Sequence, residues 1–319
     1  MLGLPALLGL AWGVAATLLV PVPAPACAGV TVVVVIAALV FRHLTPGIPG
    51  WAWAGGAGLV LGVALRALPA ASEERHWVLP QSRLPTAMIW QDEIRVRNVR
   101  DFRYANAGEV TRAAWDERRY DLRGLNSAWL GVSPFGGIPG VGHVFVSFGF
   151  DDGRYLAISV EARREQGEAY SPVRGIFRNY EIIYVVADER DVVALRSNAW
   201  NDPVYLYPVR TSREALRATF LDMLRRANEL AQRPEFYDTV FNSCSVSLAR
   251  HVNRVVPDRI PRSLKVLLAG FSDALALDVG LIEFDGTLEQ ARERFRINAR
   301  AAGDVDLGDF SARIRATPP

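Results

Sequence analysis

The sequence predicts an α+β domain preceded by N-terminal transmembrane helices. Three observations carry that prediction. No charged residue occurs between Met1 and Phe41, strand-like runs rich in valine, isoleucine and aromatics fill residues 93–209, and capped helical periodicity occupies the remainder. Strands followed by helices are the pattern of an α+β domain. The chain's 319 residues accommodate one large domain and an anchor. Its 36 basic residues nearly balance 34 acidic ones, and Lys265 is the only lysine. No block of like charge forms a polyanion groove, so no nucleic-acid partner is expected.

The anchor is expected over residues 1–70, with helices at 2–20, 28–41 and 51–68. Two helices plus a re-entrant segment is the alternative. The first run is long enough to cross a bilayer core. Prolines 21, 23 and 25 separate it from the second, and Pro46, Gly47, Pro49 and Gly50 separate the second from the third. Arg66, near the end of the third, can snorkel to the interface. Arg42 and His43 fall in the second connection, and the positive-inside rule places that side in the cytoplasm. Everything after about Ala70 then lies outside it. Ala24-Pro25-Ala26 before Cys27 resembles a cleavage site, but no basic stretch precedes it and another apolar run follows.

Residues 71–92 read as a linker, since proline, serine and glutamine leave no periodicity. The domain is expected over 93–319. Glu93–Val99 alternates like a strand, and Trp115–Trp129 reads as irregular or short-helical. His143–Phe150 and Tyr155–Glu161 read as paired strands across Asp151-Asp152-Gly153. Glu181–Ala187, Val192–Arg196 and Val204–Val209 read as three more. Thr211-Ser212 caps a helix over Arg213–Gln232, and Asn242 or Ser243 caps another from Cys244 to about Val255. Leu264–Leu277 is expected to be a buried helix and Leu288–Ala302 a surface one.

Cys244 is the only thiol of the domain. In the first turn of a helix, unpaired N–H groups and the helix dipole lower a thiol's pKa and can hold an oxyanion. The alternative is a small residue packed at a helix start. A thiol nucleophile needs a base. His251 lies seven residues along the same helix, about 10 Å away at 1.5 Å per residue. His143 opens a strand after a glycine-rich loop and is the better candidate. Matching the apolar faces Val144, Val146, Phe148, Phe150 and Leu156, Ile158, Val160 requires a three-residue connection. That register sets Glu161 opposite His143, as an orienting carboxylate or a surface ion-pair partner. Tyr237 and Asn242 are further candidates for the oxyanion or substrate, and core packing is the alternative for Tyr237. No metal-ligand spacing, phosphate loop or dinucleotide fingerprint occurs, so no metal and no cofactor is expected.

The string GHVFVSFGFDDGRYLAISVEARREQGEAYSPVRGIFRNYEIIYVVADERD resembles the bacterial family of Lnb-type N-terminal periplasmic domains. PEFYDTVFNSCSVSLARHVN resembles that family's tyrosine-then-Asn-Cys segment and DFSARIR its end, so the resemblance spans about Ile94 to Arg315. The family pattern Asn-Asn-Cys-Thr-Thr is replaced here by Asn242-Ser243-Cys244-Ser245-Val246. The resemblance implies a periplasmic thiol acyltransferase or hydrolase at the inner membrane, with Cys244 as nucleophile and His143 as base. The histidine-before-cysteine order is similar to permuted papain-like (NlpC-like) folds. The implied partners are membrane lipids, a phospholipid acyl donor and a lipoprotein or peptide acceptor. A cysteine peptidase or amidase on cell-wall peptide, or a non-catalytic envelope interaction module, are the alternative functions.

Overall fold

The computed structural model describes residues 3–72 and 74–316. Leu2, where the first span is expected to begin, Glu73 of the expected linker and residues 317–319 of the expected domain lie outside the described residues.

Three N-terminal helices are present, Leu4–Leu19, Ala24–Leu44 and Gly50–Ala67. Among the described residues Ala24–Leu44 is the one helix long and apolar enough to cross a membrane, and Leu4–Leu19 is a shorter apolar helix. The second helix runs further than expected and takes Arg42 and His43 into its last turn. The first and third lie side by side and parallel, because Gly9 and Gly13 face Gly55 and Gly58. A Cβ at any of these four would meet the opposing backbone. Small residues at such spacing let helices approach without a hydrophobic driving force between them. The parallel pair puts both C-terminal ends against the domain, with the Arg42 end on the far side.

Among the described residues the domain has ten strands: β1 (Thr86–Trp90), β2 (Glu93–Arg100), β3 (Arg103–Tyr104), β4 (Val110–Arg112), β5 (Trp115–Asp121), β6 (Leu125–Pro134), β7 (Gly142–Phe150), β8 (Tyr155–Arg163), β9 (Glu181–Asp188) and β10 (Tyr205–Pro208). Eight form one sheet in the order β1-β2-β9-β8-β7-β6-β10, with β5 also on β2. The pairings are antiparallel apart from a parallel contact between β2 and β9. Helices Arg213–Gln232 and Cys244–Val255 cover one face, where Val144, Val146 and Phe148 meet Leu216, Phe220 and Cys244. The other face buries Phe145, Ala157, Ile183 and Val185 under Val192, Val193, Phe310 and Ile314. With both faces covered, β9 is buried from Glu181 to Ala187 and reads as a continuous apolar run.

Several expectations change. The expected linker 71–92 is built into the domain. It holds a 3-10 turn, Leu79–Gln81, and strand β1, and buried Gln81 donates to Glu161 at 2.9 Å. Trp115–Trp129 is strand β5, a 3-10 turn and the start of β6. β5 is an edge strand whose charges answer those of β2, with Glu117 held by Arg95 and Arg97. That charge hides the alternation. Val192–Arg196 is helical, not a strand: Asp188 caps a helix over Glu189–Ala194, and a π-turn continues it over Leu195–Ala199. A short apolar run does not distinguish the two. Leu264–Leu277 breaks into Leu264–Leu267, Ala269–Phe271 and Ser272–Asp278, with Leu264 76% exposed. The break lies where Gly270 packs on the Gly140 backbone, its N–H 2.9 Å from the Gly140 carbonyl. The expected helix Leu288–Ala302 ends at Phe295 and resumes over Asn298–Ala301.

The domain is locked onto its anchor. Phe177 enters a cluster with Trp12, Ala16, Leu65 and Cys27, its ring centroid 4.9 Å from that of Trp12. The Asn179 amide donates to the Leu19 carbonyl at 2.7 Å, and Arg66 donates to the Ile176 carbonyl at 2.8 Å. Truncating a buried phenylalanine costs about 3–5 kcal/mol. Phe177→Ala is therefore expected to lower the thermal midpoint of the detergent-solubilised chain. It should also expose the 172–180 segment to protease, as limited proteolysis will report.

Candidate active site

The site forms where two neighbouring strands part. The β7–β8 ladder closes at Phe145–Ser159. Beyond it, β7 stays paired with β6 to Gly142 and β8 stays paired with β9 to Arg163. The Phe150 N–H donates to the Arg154 carbonyl at 3.0 Å, so alternate N–H groups of β7, down to Val144, point towards β8. At Val144 that group has no β8 partner and lies near the Cys244 sulfur, where it favours the thiolate. Cys244 is the first residue of its helix. Helix and strand thus bring the thiol to the mouth of the split.

A cavity of about 400 Å³ occupies this place, and Cys244, His143, Glu161, Tyr237, Tyr170 and Arg196 all line it. The three-residue connection and the register expected from the apolar faces are present, Phe148 lying opposite Leu156 and Val146 opposite Ile158. Between His143 and Glu161 stands Ser159. Its hydroxyl lies 2.7 Å from His143 Nε2 and donates to Glu161 Oε1 at 2.9 Å. The remaining Glu161 contacts are Gln81 at 2.9 Å and Arg196 at 3.3 Å. Burial alone would raise the Glu161 pKa, but Arg196, Arg100, His143 and Gln81 overcome it and hold the carboxyl well below its ordinary range.

This chain of contacts fixes the imidazole tautomer. An ionised Glu161 only accepts, so the single Ser159 proton goes to it. The Ser159 oxygen must then accept from His143 Nε2–H. Neutral imidazole carries one proton, which leaves Nδ1 with its lone pair. Burial, helped by the Arg196 charge and opposed by Glu161, pulls the His143 pKa down to about 3. Nδ1 is therefore an unprotonated acceptor at neutral pH.

Helix position alone suggests a lowered thiol pKa for Cys244. Burial dominates instead and pushes it up, although the Val144, Ser245 and Cys244 N–H groups and Arg196 oppose it. The resting pair is thus a neutral thiol and a neutral imidazole. The Tyr237 hydroxyl lies near the Cys244 backbone N–H and 3.3 Å from the Tyr170 hydroxyl. Burial, with Cys244 and Tyr170 nearby, holds Tyr237 well above the usual phenol range, so it keeps its proton.

Asn242 is directed elsewhere. Its amide donates to the Phe236 carbonyl at 3.0 Å, and its side chain lines a different cavity, beside Arg66 and Asp238. It shapes the turn before the cysteine. His251 binds Asp222 through Nδ1 and Tyr184 through Nε2, each at 2.6 Å, and takes no part in the cavity. Ser159, Arg196, Gln81 and Tyr170 escaped the sequence reading. Only Ser159 left a signal there, a hydroxyl two places before Glu161 and so on the same face of the strand. Among the described residues no group of three His, Cys, Asp or Glu side chains is placed to hold a metal ion.

An apolar N-terminal helix bundle, a mixed α+β domain and a shared cysteine–histidine cavity together define a membrane-anchored domain with a candidate thiol site. Residues 111–270 match the Lnb N-terminal periplasmic domain family, and the chain belongs to it. All five sequence-selected residues fall inside the matched segment. Neither curated proteins nor solved structures give a match.

The linkage sign follows from a depressed folded-state pKa. The unfolded chain, with its histidine near about 6.5, takes up the proton first as pH falls. His143 thus favours folding above about pH 6.5, and that contribution is lost progressively towards pH 3. Nitrogen-15 NMR of the histidine rings should show His143 as the Nε2–H tautomer, unchanged from pH 8 to pH 5. Urea unfolding of His143→Gln should lose less stability between pH 7 and pH 4 than the parent chain.

Proposed function

We propose that the protein is a cysteine acyltransferase acting at the periplasmic face of the inner membrane, with a phospholipid as acyl donor. The observation that carries this reading is one cavity shared by the Cys244 thiol, a tautomer-fixed His143 and the protonated Tyr237 hydroxyl. The histidine strand preceding the cysteine helix fits a permuted papain-like arrangement. Membership of a periplasmic domain family supports the compartment.

In the first half-reaction His143 Nδ1 takes the thiol proton as sulfur attacks the ester carbonyl carbon. The carbonyl π electrons move to oxygen, where the Cys244 N–H and the Tyr237 hydroxyl are placed to donate. Collapse expels the lysophospholipid alkoxide, which takes the proton back from the imidazolium and leaves an S-acyl thioester. In the second half-reaction an amine attacks the thioester, passes a proton to Nδ1, and the sulfur leaves as thiolate and is reprotonated. Glu161 stabilises the transient imidazolium through Ser159, an orienting role rather than a proton relay.

Two features favour an acyl group over a peptide. The anchor confines the site to the plane of its lipid. A second cavity, of about 430 Å³, is lined by Ser245, the residue after the nucleophile, and walled by Val146, Phe148, Leu248, Val252 and Ile282. Both its size and its apolar walls suit a small-molecule chain.

Incubation with phospholipid carrying a labelled acyl chain should give a hydroxylamine-labile adduct on Cys244, read by mass spectrometry. Cys244→Ala and His143→Ala should form none. Absence of any adduct in folded parent protein would remove lipid acyl transfer and leave cell-wall peptide as the next substrate to test. Removing one oxyanion donor costs about 10²–10³ in turnover. Tyr237→Phe is therefore expected to slow acylation by that order while still giving the adduct. Ser159→Ala should slow it less, with the loss concentrated in kcat.

A further inference from the structure

Where the third anchor helix ends, the structure opens a cavity of about 570 Å³ that the cysteine chemistry does not use. Four arginines, Arg66, Arg178, Arg226 and Arg250, face it against two carboxylates, Glu235 and Asp238. The carboxylates are already committed. Arg226 binds Glu235 at 2.5 Å, and Arg66 pairs with Asp238. Among the described residues neither Arg178 nor Arg250 has a carboxylate partner. Arg178 lies over the Phe236 ring at 5.7 Å, and Arg250 makes one long contact of 3.5 Å to Asn242 Oδ1. Arg178 is also close enough to Arg66 for the two charges to repel. Positive charge is left unbalanced.

The backbone at Arg178 points the same way. It follows the short helix Pro172–Ile176 in the left-handed region, at φ 57°. Glycine is the usual residue there because a Cβ is disfavoured. An arginine at that position brings a guanidinium to the cavity at the expense of local strain. The cavity's place along the bilayer normal is set by its own walls, which include Arg66 and Pro69 at the end of an apolar helix. Phe241, 64% exposed, stands at its rim. Aromatic and basic side chains of this kind gather at headgroup level.

We infer that this cavity binds the phosphate group of a glycerophospholipid, held by Arg178 and Arg250 beside the Arg66–Asp238 pair. Asp238 also accepts the Val240 and Phe241 N–H groups, at 2.9 and 3.0 Å, and so holds the turn that leads into Cys244. A lipid bound here sits against that turn. The site rests on the membrane placement of the third helix, and it deepens the acyl-transfer reading without requiring it.

The test uses the full chain in detergent micelles with Cys244→Ala, which cannot turn over, so failure of acyl transfer cannot be mistaken for failure of binding. Dihexanoyl phosphatidylglycerol is titrated and followed by native mass spectrometry. An interfacial basic residue contributes about five-fold in affinity for an anionic lipid. Arg178→Gln with Arg250→Gln should therefore weaken binding by about twenty-five-fold, with an unchanged thermal midpoint. Should that pair misfold, exposed Arg250→Gln alone should weaken it about five-fold. Binding unaffected by these substitutions overturns the site. Equal binding of dihexanoylglycerol, which lacks phosphate, overturns it too. Displacement by inorganic phosphate at the same concentration would make a free anion the ligand and overturn the lipid assignment.

Discussion

The parting of β7 from β8 beyond the Phe145–Ser159 pair is the constraint on which the candidate site depends. Inside a sheet every N–H of β7 would be spent on a neighbour. Here the Val144 N–H is released from that duty and left near the sulfur. The split also separates the two sheet faces at one end, so that a helix on one face and a histidine from the other can meet a common cavity. Each strand can leave its neighbour because each has another: β6 holds β7 and β9 holds β8 up to their ends. A two-sided core therefore supports the opening and keeps it from being a frayed edge.

The electrostatics follow from that opening. A carboxylate as deeply placed as Glu161 is stable only with partners, and Arg196, Gln81 and Ser159 supply them. Ser159 is two places from Glu161 on the same strand, but the other two are distant in sequence: Arg196 comes from the π-turn after β9 and Gln81 from the segment before β1. With Glu161 ionised, the direction of every proton along Glu161–Ser159–His143 is determined. Burial then keeps both the thiol and the imidazole neutral. Charge develops only when a substrate carbonyl arrives to receive the sulfur electrons. A site of this kind holds its nucleophile in reserve, with three backbone N–H groups around the sulfur to stabilise its anion when it forms.

Much of this was legible in the sequence, for a physical reason. The faces of β7 and β8 differ in burial, and a one-residue slip would turn Val144, Val146 and Phe148 to the wrong side. That contrast fixes the register and with it the relation of His143 to Glu161. The helix Arg213–Gln232 was legible because its Ser212 cap is a local signal, and the helix Cys244–Val255 was legible although neither Asn242 nor Ser243 caps it with a side chain. What stayed hidden depends on distant partners. Gln81 looks like linker until Glu161 is seen above it. Val192–Arg196 looks like a strand until the Asp188 cap and the packing of Phe310 and Ile314 are known. Trp115–Asp121 hides its strand because its charges are paired across an edge and not against a core.

The anchor contributes more than proximity. Arg66 reaches from the third helix to Asp238, and Asp238 holds the turn that delivers Cys244 to the split. Phe177, wedged among the anchor helices, lies in the segment whose Gly175 packs against Tyr237 and Thr239. A Cβ at Gly175 would meet the Thr239 hydroxyl, so the anchor-binding segment and the nucleophile turn are in direct contact. Tyr237, whose hydroxyl lies near the Cys244 N–H, belongs to that same turn. Displacing the anchor would therefore disturb both the oxyanion donors and the start of the cysteine helix. A tether made only of chain length would confine the domain to the membrane surface. This one also bears on the geometry of the cavity, through side chains that reach from the N-terminal helices to the loop before the thiol.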